Sequence, residues 1–158
     1  MLNNDWGMSA YPLVPGHEIV GEVVAVGEQA RNVKIGDVVG VGWYSQSCMA
    51  CSSCLSGDHN LCATSESIIV GRHGGFADRV RAHWGWVNKL PYSLDVSKAV
   101  SGSPLGSPAT TALMLDFCAR HNIAPVTKQY KMSAVNSALE HLEAGKARYR
   151  LVLENDFA

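Results

Sequence analysis

Four cysteines fall within fifteen residues of this chain, at Cys48, Cys51, Cys54 and Cys62. A C-x-x-C-x-x-C run followed by a fourth cysteine can bring four thiolates around one zinc ion at Zn–S distances of about 2.3 Å. Such a closed tetrahedral site leaves no open position for water or substrate, so it supports structure and does no chemistry. The spacing therefore predicts one structural zinc ion, whose binding contributes on the order of 10 kcal/mol to folding.

The same cysteines could instead form two disulfides, as they would in an oxidising compartment. The chain shows neither an export signal nor an apolar run long enough to span a bilayer, which favours free thiols, zinc and a cytoplasmic location. The polar residues at positions 52–58 indicate a loop folded around the metal rather than a helix or strand. The fifth cysteine, Cys118, lies in an apolar helical pattern and is predicted to pack in the core.

Length and composition indicate one domain of ordinary size that can bury its own core. The chain has 158 residues, of which 47% are hydrophobic and 17% charged, and its formal net charge is −1. Basic and acidic residues are scattered, so no basic patch predicts nucleic-acid binding and nothing indicates a membrane surface.

The first half of the chain reads as β structure. Runs rich in β-branched residues, and one run of alternating character, predict strands at 19–26, 38–43, 76–82 and 84–90, with a closing strand at 149–153. The second half reads as helical: Ser107 and Pro108 form a helix-start pair, and Ser133 is predicted to cap a further helix that stops at Gly145. The fold class predicted from this order is mainly β with α, that is, α+β.

A second motif precedes the cysteines. Gly16-His17-Glu18, followed by Gly21, Gly27 and Ala30, resembles the signature of zinc-containing medium-chain alcohol dehydrogenases. Together with the cysteine loop it is similar to the catalytic, GroES-like domain of that family, in its cinnamyl-alcohol-dehydrogenase-like aldehyde reductase branch. Later segments, 74–77 and 132–150, are similar to that branch as well, so the resemblance covers nearly the whole chain.

The resemblance implies a curved GroES-like β-barrel with a zinc-binding loop and two or three C-terminal helices. It also implies Lewis-acid chemistry, in which a second, catalytic zinc polarises an alcohol or aldehyde oxygen while hydride passes to or from NADP. His17 matches the imidazole ligand of that zinc, and Glu18 matches the adjoining carboxylate.

The chain departs from the family pattern in three places. A cysteine ligand expected upstream of His17 is absent, as is a further cysteine ligand expected after the segment 91–99. A Rossmann domain should follow, yet Lys98-Ala99-Val100 runs directly into a segment that resembles the far side of that domain. We therefore expect a single GroES-like domain over residues 1–158, with a junction near 99–102.

The missing domain limits what the chain can do alone. No G-x-G-x-x-G follows a predicted strand, so NADP is not expected to bind this chain. His17 and Glu18 are then expected to be unused remnants, and His59, His73 and His83 are predicted to be ordinary surface histidines rather than an accidental metal site. The absent domain should expose apolar surface, which predicts self-association into a homo-oligomer.

Two functions stay open at this point. The first is a zinc-binding, alcohol-dehydrogenase-like module that is not catalytically self-sufficient. The alternative is a part of an active zinc-dependent, NADP-linked alcohol dehydrogenase or aldehyde reductase, completed by a cofactor domain in trans. Whether the chain acts as an enzyme is left undecided by its residues.

Overall fold

The computed structural model describes residues 3–92 and 106–157, and the junction expected near 99–102 lies outside these ranges. Most strands are short and precede the long helices. In chain order the elements are β1 (Ile19–Glu22), β2 (Val38–Val41), β3 (Tyr44–Gln46), α1 (Ser52–Leu55), β4 (Glu66–Ser67), β5 (Asn88–Lys89), α2 (Pro108–Arg120), β6 (Thr127–Lys131), α3 (Val135–Glu143) and β7 (Arg150–Glu154). Short 3-10 helices occupy His59–Leu61, Trp84–Trp86 and Met132–Ala134.

The described strands pair into three small sheets. β1, β2 and β5 form an antiparallel sheet with β2 in the centre, and β3 pairs with β4, the next strand, across the cysteine loop. β6 and β7 pair in parallel, which requires a crossover connection, and α3 provides it. Because β1 and β7 each pair on one side only, both are edge strands of their sheets.

The apolar core is small and lies where the first two sheets meet. Val41, Ile68 and Ile69 form its buried centre, with Ile69 fully enclosed. Partly buried hydrophobic residues surround it, among them Ile19 at the start of β1 and Trp43 after β2. The core therefore joins the segment that carries His17 to the strands that flank the cysteine loop.

The helix predictions are confirmed, with one change in detail. Ser107 caps α2, since its hydroxyl accepts a hydrogen bond from the N–H of Thr110, and Pro108 is the first helical residue. Gly145 ends the last helix with φ of +65°, a conformation that suits glycine. Ser133, however, does not cap α3 with its oxygen: its N–H and hydroxyl donate to the carboxylate of Asp156, beyond β7.

The predicted fold class is confirmed, but several strand boundaries were wrong. The predicted first strand at 19–26 is shorter, ending at Glu22, and no strand forms at 76–82. The N–H of Phe76 donates to the carbonyl of Pro15 instead of entering a β ladder, because two glycines bring this segment against the one before His17. β6 was missed, since its exposed Thr-Lys-Gln-Tyr-Lys sequence lacks an apolar alternation.

None of the helices in residues 3–92 and 106–157 is long and apolar enough to cross a bilayer.

Candidate metal centre and the cavity beside it

The four predicted zinc ligands come together. The Sγ atoms of Cys48, Cys51, Cys54 and Cys62 all lie within 4.8 Å of one another, and none of these residues forms a disulfide. The Sγ atoms of Cys48 and Cys54 are 3.8 Å apart. Four sulfurs placed about 2.3 Å from a common centre in a tetrahedron are about 3.8 Å from each other, so the quartet has the dimensions of a zinc site.

The backbone of the cysteine loop directs several N–H groups at the cysteine Sγ atoms. Met49 has φ of 59°, which turns the chain so that the N–H of Cys51 donates to Cys48 Sγ over 3.2 Å. The N–H of Cys48 in turn donates to Cys62 Sγ over 3.5 Å, which joins the two ends of the loop. Hydrogen bonds from N–H groups favour the thiolate form that a metal ligand requires.

The loop is more regular than the sequence predicted. Residues 52–55 form one turn of α-helix, with Cys51 at its N-cap, and a 3-10 turn at His59–Leu61 leads into Cys62. The expectation of an irregular loop was wrong here because C-x-x-C spacing is itself one helical turn, which places Cys51 and Cys54 on the same side.

The thiols differ in how readily they ionise. The backbone N–H of Cys48, together with Thr64, lowers the pKa of Cys62 to about 6. The N–H groups of Ala50 and Cys51 lower the pKa of Cys48. The backbone hydrogen bond at Cys54 lowers the pKa of Cys51, but the neighbouring thiols together outweigh it and raise that pKa to about 11. Without a cation, the four sulfurs cannot all carry charge, so the arrangement suits a positively charged centre.

His17 is held by a pair of interlocked segments, residues 14–16 and 74–76, which we call the clasp. The N–H groups of Gly74, Gly75 and Phe76 donate to the carbonyls of Val14, Gly16 and Pro15 over 2.6, 2.8 and 3.0 Å. Gly16 has φ of +96°, and a Cβ on Gly74 would collide with the Gly16 carbonyl oxygen. The glycines are therefore required by this close approach.

The two remnant candidates, His17 and Glu18, follow the clasp directly. The ring of His17 lies edge-on to Trp43, with centroids 5.2 Å apart. Glu18 Oε2 forms an ion pair of 3.0 Å with Nη1 of Arg150 at the start of β7. In the described part of the chain, the cysteine quartet forms a group of three or more possible metal ligands, and His17 and Glu18 are not brought into such a group.

The other candidate histidines are engaged by protein groups. His73 Nδ1 accepts from the N–H of Val14, and His83 Nδ1 accepts from the N–H of Gly85. His59 Nδ1 lies 3.5 Å from the hydroxyl of Ser47. Burial, and then the nearby His59, lower the pKa of His83. These contacts fit structural roles for all three.

A large cavity opens beside His17 and Glu18. Its volume is about 1810 Å³, and it separates the β1–β2–β5 sheet from α3 and β7. Its walls are mostly apolar and include Val24, Val26, Leu139 and Leu142. Sequence reasoning did not find this cavity, because it arises from how distant segments are placed rather than from any local pattern.

Residues 1–92 match the alcohol dehydrogenase GroES-like domain family. The chain is 32% identical to the aldehyde reductase AdhA of Synechocystis sp. in an alignment of 289 residues, which covers 98% of this chain and 86% of that protein. It is 43% identical over 100 residues to a probable cinnamyl alcohol dehydrogenase 8A of Oryza sativa, covering 59% of this chain and 28% of the relative. The chain thus spans under a third of this rice relative's length.

Solved structures share the fold. A cinnamyl alcohol dehydrogenase from Sorghum bicolor superposes with a TM-score of 0.84 at 21% identity, over 97% of this chain and 84% of that one. A CAD from Helicobacter pylori complexed with NADP(H) gives a TM-score of 0.81 at 16% identity, over 92% and 82% of the two chains. At these identities the likeness establishes the architecture alone.

Proposed function

Because the chain belongs to the zinc-containing alcohol dehydrogenase family through its GroES-like domain, we propose that it is a zinc-binding module with one structural ion. The observation that carries this proposal is the set of four Sγ atoms within 4.8 Å of one another. Because four cysteine ligands fill the tetrahedral coordination of zinc, the site has no position left for substrate. Unpaired thiols also support a reducing compartment, the cytoplasm.

The module is proposed to lack a working catalytic zinc. A catalytic zinc usually takes three protein ligands, whereas His17 contacts Trp43 and Glu18 is paired with Arg150. A carboxylate already neutralised by a guanidinium is a poorer partner for a cation. His17 and Glu18 are therefore proposed as unused remnants of the catalytic position.

We propose a single domain over residues 1–158 that does not bind NADP on its own. Support comes from the absence of a G-x-G-x-x-G fingerprint in the sequence and from the alignment with the aldehyde reductase. That alignment runs over 289 residues although this chain has 158, so a long stretch of it has no counterpart here. Such a stretch is compatible with a junction near 99–102.

The module is proposed to self-associate through the outer side of α2. Leu113, Met114 and Phe117 lie on adjacent turns of this helix and are 69%, 46% and 49% exposed. Apolar side chains clustered in this way usually mark an interface. Analytical ultracentrifugation should detect a dimer or larger oligomer, and replacement of Phe117 by Glu should shift the population to monomer. A strict monomer at every concentration would contradict this part of the proposal.

Metal content tests the zinc site itself. Protein purified without added metal and analysed for zinc and free thiols should contain one zinc per chain, with Cys48, Cys51, Cys54 and Cys62 unreactive until the metal is removed. Protein that holds no metal, or whose thiols are oxidised to disulfides, would refute the structural-zinc proposal. Two tightly bound zinc ions per chain would instead show that a catalytic site exists.

A second candidate function rests on the 32% identity to an aldehyde reductase over nearly the whole chain. Under this alternative, the chain is part of an active NADP-linked dehydrogenase and receives a cofactor domain in trans. The purified chain, assayed with NADPH, excess zinc and aromatic or medium-chain aldehydes, should be inactive alone under both proposals. Activity that appears only after addition of a separate Rossmann domain would favour the alternative, and sustained turnover without it would refute both.

A further inference from the structure

The cavity between the β1–β2–β5 sheet and α3 is too large for an ordinary small-molecule site. Its volume of about 1810 Å³ exceeds the roughly 300–1,000 Å³ that is typical of ligand pockets. Large apolar side chains along its walls are left open to solvent, among them Val24 at 62% and Leu142 at 54% exposure. An apolar surface of this kind is normally covered by another part of a protein.

Two strand edges border this cavity, and they identify what kind of group would cover it. One face of a strand contributes every second residue, yet all four residues of β1 and the consecutive residues 149–153 line the cavity. The cavity therefore reaches the edges of β1 and β7, not only their faces. β1 pairs only with β2 and β7 only with β6 among the described strands.

The hydrogen-bonding pattern shows which peptide groups of β1 and β7 point away from the strand that each is paired with. Val23 donates its N–H to the carbonyl of Asp37, and since antiparallel pairing alternates, the peptide groups of Val20 and Glu22 point away from β2. The N–H of Arg150 donates to the carbonyl of Val126, so in the parallel ladder the groups of Leu151 and Leu153 point away from β6. Both edges thus offer donors and acceptors at strand spacing.

We propose that this cavity binds one extended polypeptide segment of a partner protein, which adds a strand to the edge of β1 and to the edge of β7. Because both edges border the same cavity, the backbone of the segment can pair on both of its sides. Alternate side chains of the segment would then contact the apolar walls. β7 is five residues long, so the paired stretch is about 17 Å at a rise of about 3.3 Å per residue.

The charges on the cavity walls indicate which kind of segment would bind. The walls carry both signs, with carboxylates and guanidinium groups interspersed, so neither a strongly acidic nor a strongly basic peptide is favoured. The Glu18–Arg150 ion pair crosses one end of the cavity, so side chains join the two edges there, and the described strands show no backbone ladder between β1 and β7. The expected segment is neutral, extended and rich in β-branched residues.

The test uses a fluorescently labelled seven-residue peptide of alternating threonine and valine, and zinc-loaded full-length protein. Fluorescence anisotropy should show saturable binding. The same peptide with N-methyl groups on alternate amides keeps its side chains but loses backbone donors, and it should bind at least about tenfold more weakly. Equal binding of the methylated peptide, or no binding at millimolar protein, would overturn the proposal.

Variants of the protein locate the binding. Leu142→Glu, on the α3 wall, and Val24→Lys, on the opposite wall, should each weaken binding at least about tenfold, since a charge would be buried against the segment. Ile35→Glu replaces an apolar side chain that is as exposed as Val24, at 62%, but lies outside the cavity walls, and it should leave binding unchanged. Unchanged binding in both cavity variants, with their zinc content intact, would contradict the assignment.

Self-association is a separate outcome in the same experiment. If Leu142→Glu converts an oligomer to a monomer while the peptide does not bind, a second copy of this chain fills the cavity and the strand proposal is wrong. Leu113→Glu changes the α2 surface and not the cavity walls, so comparing its oligomeric state with that of Leu142→Glu distinguishes the two surfaces without reference to the zinc site.

Discussion

Cys54 and Cys62 are the two buried members of the cysteine quartet, and the loop around them has almost no apolar interior of its own. Replacement of Cys54 by Ser should abolish tight zinc binding and unfold the loop, because structural zinc contributes on the order of 10 kcal/mol. The free energy of unfolding of a domain of this size is about 5–15 kcal/mol, so losing the zinc contribution would remove a large part of the total stability. Zinc content and thermal unfolding measure the effect.

The matched control is Cys118→Ser, which changes a thiol outside the quartet in α2. Its zinc content should remain at one per chain. Loss of zinc in the control, or retention of zinc by Cys54→Ser, would contradict the assignment of the ligands.

A substitution at Gly74 tests whether the clasp is a rigid contact. Replacement by Ala should destabilise the protein by about 1–3 kcal/mol, because the new Cβ would collide with the Gly16 carbonyl and Ile69 and the backbone must move. Gly21→Ala is the control, since a Cβ there meets nothing within 4 Å. Chemical denaturation compares the two free energies of unfolding, and equal values would count against the clasp as a rigid contact.

The Glu18–Arg150 pair joins the residue before β1 to the first residue of β7, but its effect on stability should be small. The two side chains are 28% and 49% exposed, and partly exposed pairs contribute about 0.2–1 kcal/mol. A double-mutant cycle with Glu18→Gln and Arg150→Met should give a coupling energy in this range that falls with added salt. A coupling energy of several kcal/mol would show that the pair is far less solvated than its exposure indicates.

At the residue scale, local spacing was informative and distant pairing was not. The clustering of the four cysteines could be predicted because all four lie in one short loop whose geometry follows from their separation. The partner of Glu18 could not, because Arg150 is more than a hundred residues away in the chain and its charge alone does not select a partner. Only the tertiary fold brings the two together.

At the scale of elements, the link between α3 and the C-terminal segment gives a pH-dependent effect. Hydrogen bonds from the hydroxyl and N–H of Ser133 lower the pKa of Asp156. A carboxylate with a lowered folded-state pKa contributes stability above its unfolded pKa of 3.8, and this contribution is lost as pH falls through the folded pKa. The stabilisation should therefore be constant near neutral pH and disappear only in acid.

The variant Asp156→Asn removes the titrating carboxylate, so comparing it with wild type measures this pH-dependent contribution to stability. The difference in midpoint of thermal unfolding between wild type and variant should be steady from about pH 8 to pH 5 and shrink below about pH 4. Zinc loss in acid affects both proteins equally and does not alter this comparison. A difference that already changes around pH 6 would point to a group other than Asp156.

Elements were predictable where their signals were local. α2 begins at Ser107-Pro108 as expected, because capping and the fixed φ of proline act within a few residues. The strand expected at 76–82 does not form, and its first residue, Phe76, donates its N–H to Pro15 in the clasp rather than to a ladder. The parallel pairing of β6 with β7 depends on a crossover through α3, which no alternation in either strand reveals.

For the whole molecule, removal of zinc is the most informative perturbation. Treatment with a chelator at neutral pH should lower the midpoint of denaturant unfolding substantially, because the four thiols then lose the cation that balances their charge. Re-addition of one equivalent of zinc should restore the midpoint. If chelation leaves unfolding unchanged, the core around Ile69 must hold the first half of the chain without help from a metal.

The overall architecture was predictable because two motifs in the right order identify a family and its fold, as the match of residues 1–92 confirms. The large cavity was not predictable, since its walls come from segments at both ends of the described chain. Each apolar wall residue, taken singly, resembles an ordinary core position in the sequence. The exposure of Val24 and Leu142 to this cavity becomes visible only in three dimensions.

The clasp and the cysteine loop together change what a cut in the backbone would do. The clasp ties residue 14 to residue 74, and the four proposed zinc ligands lie on both sides of the turn at Gly57 and Asp58. A protease that cut the backbone at this turn would leave three of the proposed ligands on one fragment and one on the other. A zinc ion bound by all four would then hold the two fragments together. The fragments should migrate as one species until a chelator is added.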